Sequence, residues 1–205
     1  MMSIVLLLLF LSRIRNNAGQ ESRESVASEM GFEFSQTGDI SSVHEKLRTF
    51  GQDSRIGNVF SGVMEGYPVR IFDFSYAWMK KAVYEATLLE ITNSKKCPNM
   101  FILSKSSAFG ETFDATRFFS GVSVQLEGDF SNYFDLFVEN YAEDEIRQFL
   151  APDLMAALID TMSDLSFVFF DDKIYVVLSN NAEHGFLKDH FVEQVNKARF
   201  IITKW

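Results

Sequence analysis

Asp73 is the residue whose setting most invites chemistry. It interrupts the aromatic stretch YPVRIFDFSY (Tyr67 to Tyr76). Strand alternation puts it on the face of Val69 and Ile71, and puts Phe72, Phe74 and Tyr76 on the other. A carboxylate among apolar neighbours is costly unless it is paired. Two readings follow. In one, Asp73 is an acid with a raised pKa that converges with Tyr76 on a ligand. In the plainer one, it is a strand-end carboxylate bonded to Arg70 or to a backbone amide.

The remaining reactive side chains are poorer in pattern. His184 and His190 are six residues apart around Asp189, whereas a metal-binding helix places histidines at i and i+4. They read as surface histidines near a helix start, and His44 is isolated. Ser104, Lys105, Ser106 and Ser107 suggest a Ser-Lys dyad but lack the S-x-x-K spacing. Asp171-Asp172 is explained as a turn pair. Asp129, Asp135, Asp144 and Glu145 do not make a calcium loop. The sequence contains no G-x-S-x-G, phosphate-binding loop or G-x-G-x-x-G motif. The single cysteine, Cys97 in the turn-like Ser-Lys-Lys-Cys-Pro-Asn, excludes an intrachain disulfide and a cysteine-based zinc site. It reads as a partly buried or turn thiol. No catalytic residue, metal site or cofactor is implied.

The elements that would position these residues begin with a distinctive N-terminus. Residues 1–15 hold the apolar run Ile4 to Leu11 (IVLLLLFL), followed at once by Arg13 and Arg15. A membrane span needs about 20 apolar residues, and the eleven from Met1 to Leu11 reach about 17 Å as a helix. Lys and Arg favour the cytoplasmic side, so the leading expectation is a membrane anchor with a cytoplasmic domain. A cleaved signal is a second reading, although its charges follow the run instead of preceding it. The third is a short packed helix, or a longer span clipped by a late start codon.

Composition narrows the partners. The chain has 205 residues, 22 of them Phe, and a net charge of −9 from 28 acids and 19 bases. The Phe content predicts an aromatic core. The acidic balance argues against nucleic acid and against polybasic docking, so membrane contact is expected through the N-terminal segment. A protein partner is not legible.

Residues 16–30 are polar and predict a solvated helix or a tether; residues 31–205 predict one α+β domain. In that domain, Ser41 and Ser42 can cap a short helix, with Val43, Leu47 and Phe50 on one face. Asn58 to Met64 and Tyr67 to Tyr76 read as a hairpin around Glu65-Gly66. Val83 to Ile91 and Asn99 to Ser104 read as two further strands, and Val122 to Leu126 and Tyr133 to Val138 as two more. The spacing of Phe109, Phe113, Phe118 and Phe119 leaves residues 105–120 open. Helices are expected over Asp144 to Leu150, from Pro152 with Leu154 and Leu158 inward, and over Gly185 to Ile202 with Phe191, Val195, Ala198 and Ile202 inward. Leu165 to Leu178 reads as a hairpin turning at Asp171-Asp172. The order of elements favours a mostly antiparallel sheet with helices on one face.

The stretch from Phe130 to Leu178 resembles a broad group of uncharacterised bacterial proteins, often membrane-anchored. The matching features are Phe130, Phe134 and Phe137, then Asp144, Glu145, Ile146 and Arg147, then Leu150 and Pro152, then Asp172 to Val176. GNVFSGVMEGYPVRIFDFSY (Gly57 to Tyr76) resembles the same group's hairpin. Ala151 departs from the pattern, where Ser or Thr usually precedes the proline. The resemblance implies an α+β fold and an N-terminal apolar segment, and it carries no activity. Together these readings point to a membrane-tethered, non-catalytic binding or scaffolding domain at a bacterial inner membrane. The competing class is a receptor or enzyme holding a small apolar ligand in an aromatic-lined cavity.

Overall fold

In the computed structural model of the chain, the described residues are 22–78, 82–107, 120–126, 128–139, 143–178 and 188–202. They form α1 (22–30), β1 (Glu33–Thr37), a 3-10 turn (Ile40–Ser42), α2 (Glu45–Arg48), β2 (Gln52–Met64), β3 (Tyr67–Trp78) and β4 (Ala82–Ser104). There follow β5 (Val122–Val124), α3 (Phe130–Tyr133), β6 (Phe134–Val138), α4 (Glu143–Phe149), α5 (Pro152–Met162), β7 (Ser166–Leu178) and α6 (Lys188–Ile202). The apolar run and residues 105–120, apart from their ends, lie outside the described residues, as does His184. Among the described residues no helix is long and apolar enough to cross a membrane.

The architecture is α+β around one antiparallel sheet of seven strands, ordered β1-β2-β3-β4-β6-β5, with β7 on the free edge of β4. The first hairpin forms as expected. Met64 pairs with Tyr67, and Glu65 and Gly66 take φ of 52° and 86°. Both values are positive, as a two-residue turn matched to strand twist requires.

Two expected breaks do not occur. Val83 to Ile91 and Asn99 to Ser104 belong to one 23-residue strand, β4. Leu165 to Leu178 is not a hairpin: Ser166–Leu178 is one 13-residue strand paired along β4. The residues read as turns form facing irregularities instead. The β4–β7 register shifts between Thr92 and Cys97 and again between Cys97 and Met100, and Asp171 adopts φ 52°. An odd insertion in a strand of period two sends every later side chain to the opposite face. Both strands do so at the same level. On the first face lie Leu89 and Ile91, then Met100 and Ile102, and from β7 Phe167 and Phe169, then Ile174 and Val176. On the second lie Leu88, then Phe101 and Leu103, and from β7 Val168 and Phe170, then Tyr175 and Val177. The shared flip keeps the two faces apolar through the kink. Asn99 stitches it: its Oδ1 accepts from the Asp171 amide (3.1 Å) and its Nδ2 donates to Glu139 (3.0 Å).

Both faces are covered, which corrects the expectation of helices on one side. The first face carries Val26 and Ala27 of α1, Phe130 of α3, and the inner residues of α4, α5 and α6, including Phe191, Val195, Ala198 and Ile202 as expected. Residues 22–30 form a helix, one of the two readings for that stretch, and Val26 and Ala27 pack it onto the domain while Glu24, Ser25, Ser28 and Glu29 stay exposed. Pro152 opens α5 and buries Leu154, Leu158 and Met162; Ala151 caps it without a side-chain bond. The second face is closed by the 3-10 turn and α2, through Val43, Leu47 and Phe50. Their caps are Asp39 and His44, not Ser41 or Ser42.

Deleting Asp172 would turn Ile174, Val176 and Leu178 to the wrong face. The deletion should abolish cooperative thermal unfolding by circular dichroism. Asp172→Asn, which keeps the count, should shift the midpoint by no more than about 0.5 kcal/mol.

Candidate functional site

Asp73 falls on the face of Val69 and Ile71, as alternation requires. Its partners are not Arg70 or a backbone amide. Asn58 Nδ2 and Thr87 Oγ1 each donate to it at 2.8 Å, and Arg23 of α1 stands 3.6 Å away. Asn58 reaches it from a bulge in β2, where it takes φ 48°. Left-handed backbone suits Asn better than most residues. Tyr76 lies on the opposite face, stacked on Tyr84 at 5.3 Å between ring centroids. Burial, then the neighbouring Tyr84, pushes its phenol up to about 12. The two residues expected to converge on a ligand are separated by the sheet.

The structure gathers a different group on the second face, beneath the segment from Asp39 to Phe50. Its centre is Glu90, 2% exposed, a residue the sequence reading passed over. Strand alternation places it beside Leu88, opposite Arg70 on β3 and Tyr175 on β7. Arg70 forms a forked pair, Nε to Oε1 at 3.0 Å and Nη2 to Oε2 at 2.8 Å. Lys173 Nζ donates to Glu90 Oε1 at 3.3 Å and to Thr92 at 2.7 Å. The Tyr175 phenol, on the residue paired with Glu90 across the strands, accepts from the His44 amide at 3.2 Å. Burial first, and the Glu90 charge second, push that phenol far above its ordinary range, so it stays a proton donor.

This cluster also fastens the cover. Arg70 donates to Ser42 Oγ (2.6 Å) and to its carbonyl (3.0 Å). His44 stacks on Phe170 with centroids 5.0 Å apart, and its Nε2 lies 3.1 Å from Asp171. Lys46 pairs with Glu139 and sits over the Phe170 ring. Burial alone would raise the Glu139 carboxyl; the Lys46 and Asn99 bonds hold it below its usual value. Beneath the cover, Phe50, Phe101 and Phe170 meet one another at 5.6–6.2 Å between centroids. The aromatic side chains thus pack on each other.

The other reactive groups are held in structural roles. Ser104 and Ser106 donate to the Ser163 carbonyl, and Ser107 pairs with Ser166. Lys105 turns instead to the Ser131 carbonyl and to Asp135, so no Ser-Lys dyad forms. Cys97 is buried in β4 and not in a turn; burial pushes its thiol up, against a nucleophilic role. Among the described residues no group of three or more His, Cys, Asp or Glu side chains could hold a metal ion. On α6, Gln194 Nε2 and His190 Nε2 are buried without a hydrogen-bond partner among the described residues.

No protein-family model matches the chain, and no curated protein matches it. It is similar to a solved structure, the mycobacterial trehalose monomycolate transport factor A, TtfA. The identity is 14% and the TM-score 0.52, over 89% of this chain and 93% of that one. What the two share is the fold.

Glu90→Gln would leave Arg70 and Lys173 facing each other without their carboxylate. It should cost about 3 kcal/mol by denaturant unfolding. Tyr175→Phe should cost about 1–3 kcal/mol and speed hydrogen exchange across residues 43–50. Gln194→Leu removes a buried amide whose Nε2 has no partner among the described residues, and its unfolding midpoint should hold or rise.

Proposed function

We propose that this protein is a membrane-tethered α+β domain with a non-catalytic binding or scaffolding role at the inner face of a bacterial membrane. The observation that carries the non-catalytic part is the occupancy of its reactive groups. Asp73, Glu90, His44 and the Ser104 cluster are each engaged by partners within the fold. A catalytic acid or nucleophile must keep an atom free to reach substrate.

The tether rests on sequence. Ile4 to Leu11 is apolar, Arg13 and Arg15 follow it, and the resemblance to often-anchored bacterial proteins points the same way. The structural neighbour is a transport factor by its title. A part in transport is the role that this likeness would lend to the binding reading. The aromatic rings of the second face pack on one another, which favours this reading over an apolar-ligand receptor.

Fractionation tests the tether. The full chain should pellet with membranes and resist a high-salt wash, while a chain starting at Gly19 should stay soluble and folded. Recovery of both in the soluble fraction at the expected masses would refute the tether.

A further inference from the structure

Among the described residues four polar or charged side chains are buried: Glu90, Ser104, Ser166 and Gln194. Three of them are bonded: Glu90 to Arg70 and Lys173, Ser104 to the Ser163 carbonyl, and Ser166 to the Ser104 amide. Gln194, 2% exposed, differs, because its Nε2 has no hydrogen-bond partner among the described residues. The same holds for His190 Nε2, one helical turn earlier on α6. The structure thus buries a ring nitrogen of a histidine expected at the surface. A third such atom, Arg48 Nε, belongs to α2. Residues at i and i+4 of a helix have Cβ atoms about 5–6 Å apart, so the two nitrogens on α6 border one place.

The packing of α6 does not need these groups. Phe191, Val195, Ala198 and Ile202 already make a complete apolar stripe. Ion pairs tie both flanks of that stripe. On one flank Lys188 binds Glu29 and Arg199 binds Glu65. On the other, Lys197 binds Asp164, just past the end of α5. His190, Gln194 and Lys197 follow at i, i+4 and i+7, so they share this second flank. The acids beside them, Asp164 and Glu193, both pair with Lys197. A buried donor left unpaired costs about 1–3 kcal/mol. A group held at that cost is accounted for by a bound molecule or by ordered water.

The two nitrogens narrow what that molecule is. An amide Nε2 carries two N–H donors and no acceptor. An imidazole Nε2 donates in the tautomer that has its proton there. Two donors one turn apart suit a group with two acceptor oxygens, as a carboxylate has. His190 stands in the first turn of α6, where the helix dipole favours negative charge. The adjoining stripe is apolar, which suits a short aliphatic body behind the carboxylate.

We propose that the α5-facing flank of α6 binds a small aliphatic monocarboxylate, with Gln194 Nε2 and His190 Nε2 each donating to one of its oxygens. Such a site goes beyond the scaffolding role and is independent of the tether.

The test titrates sodium butanoate into the nitrogen-15-labelled full chain, held in an uncharged detergent at constant ionic strength. The Gln194 side-chain amide signal is assigned by its loss in Gln194→Leu, and the His190 ring signals by their loss in His190→Phe. Butylamine, a cation of the same length, is the control. The expected result is a saturable shift of both sets of signals, half complete at about 1 mM or below, and none with butylamine. An affinity of about 1 mM is within the reach of six heavy atoms. Gln194→Leu should weaken butanoate binding tenfold or more, read on the backbone amides of α6. The parent's own two signals decide the matter if a variant does not fold. No saturable shift, an equal response to butylamine, or undiminished binding by Gln194→Leu overturns the site. So does a long-lived water on the Gln194 amide that persists unchanged through the titration.

Discussion

The ladder between β4 and β7 is the constraint on which the rest of this fold depends. Both strands run the full length of the sheet, and both change the parity of their side chains at one level, around Cys97 and Asp171. Had one strand flipped alone, half of its apolar residues would face the wrong layer. A single Leu or Phe side chain is worth about 1.5–3 kcal/mol when buried, so a one-sided flip of four or five residues exceeds the stability of a typical domain. Every helix packs on a face that this ladder defines.

The same kink sets the edge of the polar network on the second face. Asn99 and Asp171, the residues of the bulge, bond to Glu139 and His44, and these reach Lys46 and the α2 cover. One strand step further, Glu90 draws Arg70, Lys173 and Tyr175 together. The cover is only one turn of 3-10 helix and one of α-helix, too short to be stable alone. Val43, Leu47 and Phe50 supply its apolar contact, and the Arg70, Tyr175 and Asp171 bonds fix its position. A buried ion cluster adds little net stability over an apolar one, but it allows few arrangements. Here that restriction locates a segment that has little structure of its own.

Much of this was legible in the sequence wherever period alone decides. The two faces of β3, the turn at Glu65-Gly66, the start of α5 at Pro152 and the inner face of α6 all follow from spacing. What failed was continuity. Asp171-Asp172 and Ser94 to Asn99 carry the residue types of turns, and a bulge uses the same types; at Asp171 the reason is the same, a short polar side chain that tolerates left-handed backbone. The flanking residues gave no signal: residues 167–170 and 174–178 are apolar or aromatic at both parities, so a flip within one strand and a turn read alike. Glu90 was missed because an acid near the end of VYEATLLEI, like Glu85 before it, reads as solvent-facing. Only the pairing with Arg70 and Lys173 shows that its side of β4 is covered.

The positions that break local rules bear on function. Non-glycine residues with left-handed φ are Asp53, Asn58, Glu65 and Asp171 among the described residues. Strain of this kind often marks an active site. Here topology accounts for three of them: Glu65 makes the hairpin turn, Asn58 sits in the β2 bulge, and Asp171 makes the parity change. Asp53 lies in the first register shift of β2. The buried charges are likewise explained by the segment they hold. Strain and buried charge therefore build the scaffold, and features left unexplained by scaffold needs include exposed ones. Among the described residues, Val83 and Val63 are the most exposed of the large apolar side chains, at 69% and 67%.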